Sequence, residues 1–178
     1  MTTVRSRRIV EPTEEPITLA EAKTQARIDH DHEDDFVASL IATARDVAEQ
    51  RLGRALITQT WEQRGLPRDG VIELRRWPAI EVVSVEDAAG ELAPEAWKAE
   101  VGEFPEVRLI NYQGGPVTVT YTAGYGDAAD DVPESIRRWM FVAVATMYEH
   151  REAEVTGTIV SSLGYVDNLL ECYRVPAI

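Results

Sequence analysis

Apolar and polar positions along this chain recur in two different periods, and the changes of period divide it. Between 33 and 52, Phe36, Val37, Leu40, Ile41, Ala44, Val47 and Ala48 recur at helical spacing, while Arg45, Asp46, Glu49 and Gln50 face away. This predicts an amphipathic helix that Gly53 terminates. A short helix over 19–27 precedes it, where Thr18 and Glu21 have capping-box spacing and Ile17 lies just before the cap. From 56 to 124 the period falls to two. Ile57, Gln59 and Trp61 alternate with Thr58, Thr60 and Glu62, and Val117, Val119 and Tyr121 alternate with Thr118, Thr120 and Thr122. Between them, 71–74, 80–87, 96–101 and 107–109 read as short strands with turns at 67–70 and 88–90, about six strands in all.

Helical spacing returns after Gly124-Tyr125-Gly126. Asp130 and Asp131 are expected to cap a helix over 133–151, with Pro133 in its first turn and Glu134 near its positive end. Its stretch 139–148 carries no charge. That is too short to cross a bilayer, so a helix apolar nearly all round must be covered on more than one side. A last helix over 165–174 follows a linker of small residues and presents one narrow stripe, Val166, Leu169, Leu170 and Tyr173. A helix of two to three turns is marginal alone, so something must receive that stripe.

The expected fold class is α+β: a helical core of about four helices (17–55 and 125–155) with a small antiparallel sheet or barrel of about six strands inserted at 56–124. Residues 1–16 read as a flexible arm, and 156–178 as a linker and C-terminal docking helix. Arg5, Arg7 and Arg8 are the arm's only basic cluster, either solvated or docked on an acidic neighbour.

Charge narrows the function. Acids outnumber bases 31 to 18, a net charge of −13, which disfavours gripping a phosphate backbone. Cys172 is the only cysteine, so an intrachain disulfide and a cysteine zinc site are excluded, consistent with a cytosolic origin. The N-terminus lacks the apolar segment of a secretory signal, and no membrane segment is expected.

The best candidate for catalysis is a metal-dependent hydrolase built on His30 and His32 among Asp29, Asp31, Glu33, Asp34 and Asp35. Against it, acids are expected at a helix start, His150 is far away, and no HExxH spacing occurs. Cys172 has no motif context and is read as a packed thiol, and no nucleophile elbow, P-loop or dinucleotide fingerprint is present. Trp61, Trp77, Trp97 and Trp139 are read as core residues, the alternative being an aromatic ligand-binding module using Trp61, Trp77 or Trp97. No catalytic residue, metal ligand or cofactor is expected, and the chain reads as a non-enzyme.

The order of segments is informative. TLAEAK (18–23), an acidic run, a long helix ending in GRALITQTW (53–61), a β-rich middle, TAGYGD (122–127), a proline-started helix and a short terminal helix ending CYRVP follow one another. This resembles the head–tail connector, or adaptor, family of long-tailed bacteriophages and gene transfer agents. The likeness runs from Pro16 nearly to the end, although members with few strands lack the β block. The resemblance implies a structural virion-assembly protein of the particle neck, present in the bacterial cytoplasm during assembly. Subunits would form a dodecameric ring beneath the portal protein and extend the DNA channel toward a stopper or tail-completion protein. Double-stranded DNA would pass without specific binding. It implies portal docking through Val166, Leu169, Leu170 and Tyr173, subunit contacts through Trp139, Phe141, Val142 and Ala145, and channel-facing acids Asp29, Asp31, Asp34, Asp127 and Asp130.

Overall fold

The structure, a computed structural model, describes residues 4–150 and 164–175. The chain forms two compact units: one takes the residues up to Thr13 and Gly53–Asp127, the other Glu14–Leu52 and the residues from Ala128 on. The first is β-rich. In chain order its strands are β1 (Arg5–Val10), β2 (Gln59–Gly65), β3 (Val71–Glu73), β4 (Ala79–Asp87), β5 (Gly90–Glu91), β6 (Trp97–Glu100), β7 (Glu106–Leu109) and β8 (Val117–Ala123). They make a five-stranded sheet of order β1-β2-β8-β4-β5 and a three-stranded sheet of order β3-β7-β6, with every pairing antiparallel. The second unit holds the helices α1 (Leu19–Ala26), α2 (Asp34–Leu52), α3 (Glu134–Glu149) and α4 (Gly164–Glu171). The α+β class is as expected, with the strands in two open sheets and no closed barrel among the described residues.

Strand β8 keeps its period-two pattern: Val117, Val119, Tyr121 and Ala123 are buried, and the threonines between them are half-buried. On β2 the inward positions are Gln59, Trp61 and Gln63, two of them polar, yet both amides are satisfied. Gln63 Nε2 donates to the Glu73 carbonyl at 2.7 Å and its Oε1 accepts from Arg75 N at 2.8 Å. A buried amide with partners on both ends holds the neighbouring segment in place instead of weakening the core.

Two strands depart from expectation. The two-residue β5 is too short for a periodic signal. Residues 5–10 were expected in a flexible arm, but form β1 at the edge of the larger sheet, paired with β2 from Arg5↔Arg64 to Val10↔Thr60. RSRRIV has little apolar alternation; cross-strand chemistry holds it. Arg7 meets Glu62 with two hydrogen bonds at 2.8 and 3.0 Å, and Arg8 donates to Gln59 Oε1 at 3.1 Å with its guanidinium 5.9 Å from the Trp61 ring centre. Arg7 and Arg8 of the basic cluster are therefore bound within their own sheet, and Arg5 is exposed.

Tyr121 lies at the centre of this unit, wholly buried, its hydroxyl accepting from Arg76 N at 3.2 Å. Burial pushes the hydroxyl up to about 12. An unfolded tyrosine titrates near 10, so the unfolded chain releases this proton first as pH rises. The associated stability is complete below about pH 10 and is lost as pH climbs toward about 12, on the order of 2–3 kcal/mol. Denaturant midpoints measured across that window should fall for the native protein. In Tyr121→Phe that alkaline component should be absent; an equal fall in both proteins would remove Tyr121 as its origin.

In the helical unit the capping box of α1 holds, whereas the orientation of α2 does not. Thr18 Oγ1 accepts from Glu21 N at 3.2 Å while Glu21 Oε2 accepts from Thr18 N at 2.8 Å, the reciprocal box expected. The backbone hydrogen bond from Thr18, reinforced by Arg137, holds the Glu21 carboxyl below its ordinary range. Helix α2 buries Val37, Ile41, Ala44, Arg45, Ala48, Glu49 and Leu52, a stripe rotated from the expected one. Phe36 is 37% exposed, while Arg45 and Glu49, expected to face away, are 5% and 3% exposed. The reason is electrostatic partnership: Arg45 Nε meets Glu15 Oε2 at 2.8 Å, and Nη1 lies 3.2 Å from Asp46 and 4.0 Å from Glu49.

Helix α3 contacts α1, α2 and α4. Ile136, Trp139, Met140 and Val144 form its buried stripe. The expected aspartate caps are not used. Pro133 occupies the cap position without a side-chain hydrogen bond, because Asp131 Oδ2 accepts from Ala128 N at 3.0 Å in the preceding turn. Asp130 instead meets Arg137 at 3.0 Å. Arg137 also reaches Glu21 at 2.8 Å and the Pro16 carbonyl at 3.0 Å, tying the α1 entry to α3.

Candidate functional site

Two of the stretches that carried the resemblance meet in the β-rich unit. Residues 54–57 are buried. Ala55 N donates to the Trp77 carbonyl at 2.9 Å, Tyr125 N to Leu56 at 3.1 Å, and Thr58 N to Gly126 at 2.9 Å. GRALITQTW and TAGYGD are thus two sides of one backbone ladder. Gly124, at φ 152°, closes it: its N–H reaches the Pro78 carbonyl at 3.0 Å, and an added Cβ would stand 2.5 Å from Thr58 N. Arg54, 8% exposed, makes paired hydrogen bonds of 2.7 and 2.8 Å to Glu103. Its guanidinium lies 6.0 Å from the Trp77 ring centre and 5.7 Å from that of Tyr125. Sequence reasoning missed Arg54. A charged residue inside an otherwise apolar RALI run was the available signal.

The tryptophans are structural. Trp61 and Trp77 are 6% and 3% exposed, and Trp77 Nε1 donates to the Leu74 carbonyl at 2.8 Å. Trp61 is flanked by Arg8 and Arg76, the latter 4.5 Å from its ring centre. An exposed aromatic platform using these two is overturned by their burial.

The terminal stripe has a receiver in its own unit. Val166 and Leu170 are 5% and 4% exposed, Leu169 and Tyr173 are half-buried, and α4 contacts α2 and α3. Val175 N donates to the Leu52 carbonyl at 2.8 Å. A cleft of about 260 Å³ beside the helix is lined by Arg51, Leu52, Leu170, Glu171 and Arg174. Of the expected subunit contacts, Trp139 is 5% exposed beneath Arg51, whose guanidinium is 5.3 Å from its ring centre. The i+3 step from Ile136 puts Trp139 on the inner stripe. Phe141, Val142 and Ala145 are half-buried on the rest of the helix.

The acids do not form one surface of like charge. Lys23 Nζ donates to both Asp31 and Asp34 at 2.6 Å, which holds the Asp31 carboxyl below its ordinary range. Asp130 is paired with Arg137, while Asp29 and Asp127 are exposed. Cys172 is exposed, where a packed thiol was expected. His30 and His32 stack with ring centres 3.8 Å apart, beside Glu33. The helical unit also has a cleft of about 320 Å³ lined by Ala20, Glu21, Thr24, Gln25, Arg138 and Phe141.

Residues 16–85 match the family described as Phage gp6-like head-tail connector protein. No curated protein matches the chain. Among solved structures, a chain from the neck of an empty GTA particle computed with C6 symmetry is similar at TM-score 0.80 and 21% identity, covering 98% of this chain and 97% of that one. A chain from the virion of a native gene transfer agent particle is similar at TM-score 0.76 and 20% identity, covering 97% and 96%. One from the neck of a native GTA particle computed with C12 symmetry has TM-score 0.68 and 22% identity over 96% and 97%. Over residues 16–85 the chain resembles, by sequence, the Phage gp6-like head-tail connector family, and over nearly its whole length its fold is similar to that of chains from GTA particles.

Proposed function

We propose that this chain is a structural head–tail connector in the neck of a phage-like or gene-transfer-agent-like particle. The observation that carries this reading is the family match over 16–85, and the full-length likeness to neck chains supports it. In this reading twelve copies form a ring beneath the portal, with a stopper or tail-completion protein on the far side. The symmetries in which the similar neck chains were solved, C6 and C12, support a ring. DNA passes through without being gripped, because a net charge of −13 offers its phosphates little to hold. Asp29 and Asp127 are the better candidates for facing the channel, since Asp31, Asp34 and Asp130 are engaged by Lys23 and Arg137. Phe141, Val142 and Ala145 are the α3 positions offered to a neighbouring subunit.

Portal attachment is assigned to α4. Val166 and Leu170 are seated on the chain's own helices, so docking exchanges that cover for a groove on the portal, with Leu169 and Tyr173 in the same stripe. Removing 164–178 should abolish capture by purified portal protein; undiminished capture would sink the anchoring role. Inactivating the gene in a particle-producing strain should leave filled heads without tails in electron micrographs. Normal tailed particles would sink the connector reading itself.

A further inference from the structure

The sequence offered His30 and His32, among the acids ahead of α2, as a metal-site candidate for catalysis, against the plainer reading of a charged helix start. The fold adds the arrangement of these side chains. One ring nitrogen each of His30 and His32 and one carboxylate oxygen of Glu33 all lie within 4.8 Å of one another. The imidazoles are stacked, 3.8 Å between centres at 23°. His30 Nε2 is 3.8 Å from Glu33 Oε2, and His30 Nδ1 is buried without a hydrogen-bond partner. From the far end of α3, the Tyr148 hydroxyl donates to Glu33 Oε2, and the Tyr148 ring packs 6.2 Å from that of Phe36. Asp31 and Asp34, the acids most able to compete, are held by Lys23.

We propose that His30, His32 and Glu33 bind one divalent transition-metal ion of zinc-like preference, and that this ion is structural. Two imidazoles and a carboxylate are borderline ligands that favour zinc over magnesium or calcium, which take oxygen sets. Tetrahedral zinc with ligand bonds of about 2.0–2.2 Å holds its ligand atoms roughly 3.3–3.5 Å apart. The ligand atoms, up to 4.8 Å apart, therefore have to close by as much as about 1.5 Å, which exposed His32 and half-buried His30 and Glu33 can do by side-chain rotation. Water would complete the shell. Tyr148 acts as an outer partner that orients the carboxylate, as metal-bound carboxylates commonly require. The ion would tie the entry of α2 to the end of α3 through Glu33 and Tyr148. This role is independent of the connector reading and survives its failure.

The test is calorimetric titration of tag-free, full-length protein with zinc, manganese and magnesium separately near neutral pH, paired with thermal melting. One zinc per chain at micromolar affinity is expected, with a melting midpoint raised by several degrees and no comparable effect from magnesium. His30→Ala and His32→Ala should each weaken zinc at least about tenfold, and Tyr148→Phe by about tenfold. Absence of zinc binding overturns the proposal. So does zinc binding unchanged in His30→Ala/His32→Ala, or magnesium binding as tight as zinc, since either marks a diffuse acidic surface. Should the variants misfold, the native protein decides: zinc must shift the imidazole NMR resonances of two of its three histidines. Imidazole resonances unmoved by zinc overturn the site.

Discussion

Gly124→Ala is expected to destabilise the β-rich unit by at least about 3 kcal/mol, one of the largest effects of any single methyl group in the chain. The residue adopts φ 152°, which side chains rarely allow, and its Cβ would stand 2.5 Å from Thr58 N and 2.6 Å from the Ile57 carbonyl carbon. Both are backbone atoms of the ladder that Tyr125 N, Thr58 N and Gly124 N complete, so no rotamer change relieves the overlap. Gly114→Ala is the control. It also has positive φ, 96°, but open space where a Cβ would lie, so only the conformational penalty of about 1 kcal/mol applies. Denaturant midpoints of both variants should separate clearly. A Gly124→Ala protein within about 1 kcal/mol of the parent would refute the close-approach argument.

Arg45→Leu should be comparably severe, about 3–5 kcal/mol, despite placing an apolar residue at a 5% exposed position. The change removes the cation beside Glu49, 3% exposed, and from Glu15 at 2.8 Å. A buried carboxylate that loses its cation retains its desolvation cost without the attraction that offset it. Adding Glu49→Leu to Arg45→Leu should restore much of the loss, because the two changes share one network and do not add. Chemical denaturation of the two singles and the double closes the cycle. If Arg45→Leu costs less than about 1 kcal/mol, solvent screens this group far more than its burial implies.

These two sites mark where local pattern stops being informative. The Thr18–Glu21 box was legible because both partners lie within one turn and depend on nothing else. The β8 alternation was legible because one face of a strand meets the core wherever the strand sits. The orientation of α2 was not. Arg45 and Glu49 read as outward residues until Glu15, thirty positions earlier, supplied the carboxylate that lets Arg45 turn inward. Strand β1 was missed for a related reason: RSRRIV has little period of its own and gains one only when Glu62 and Gln59 stand across from it.

The candidate sites divide in the same way. The α4 stripe was visible as spacing, since Val166, Leu169, Leu170 and Tyr173 need only one helix to align. Its seating on α2 and α3 required the folded unit. The histidines were visible as a motif, yet their stacking and the approach of Tyr148 from 115 residues away were not.

By itself, then, the sequence determined the class of fold, the helices, the Thr18–Glu21 cap, the alternating strands and the order of segments that resembles head–tail connectors. Each follows from neighbours a few residues apart, where backbone geometry alone sets the period. Only the tertiary structure decided which charges are buried, that Gly124 admits no side chain, where the arginine strand pairs and what covers α4. Those outcomes depend on atoms brought together from distant positions, and burial and pairing energies exist only once they meet.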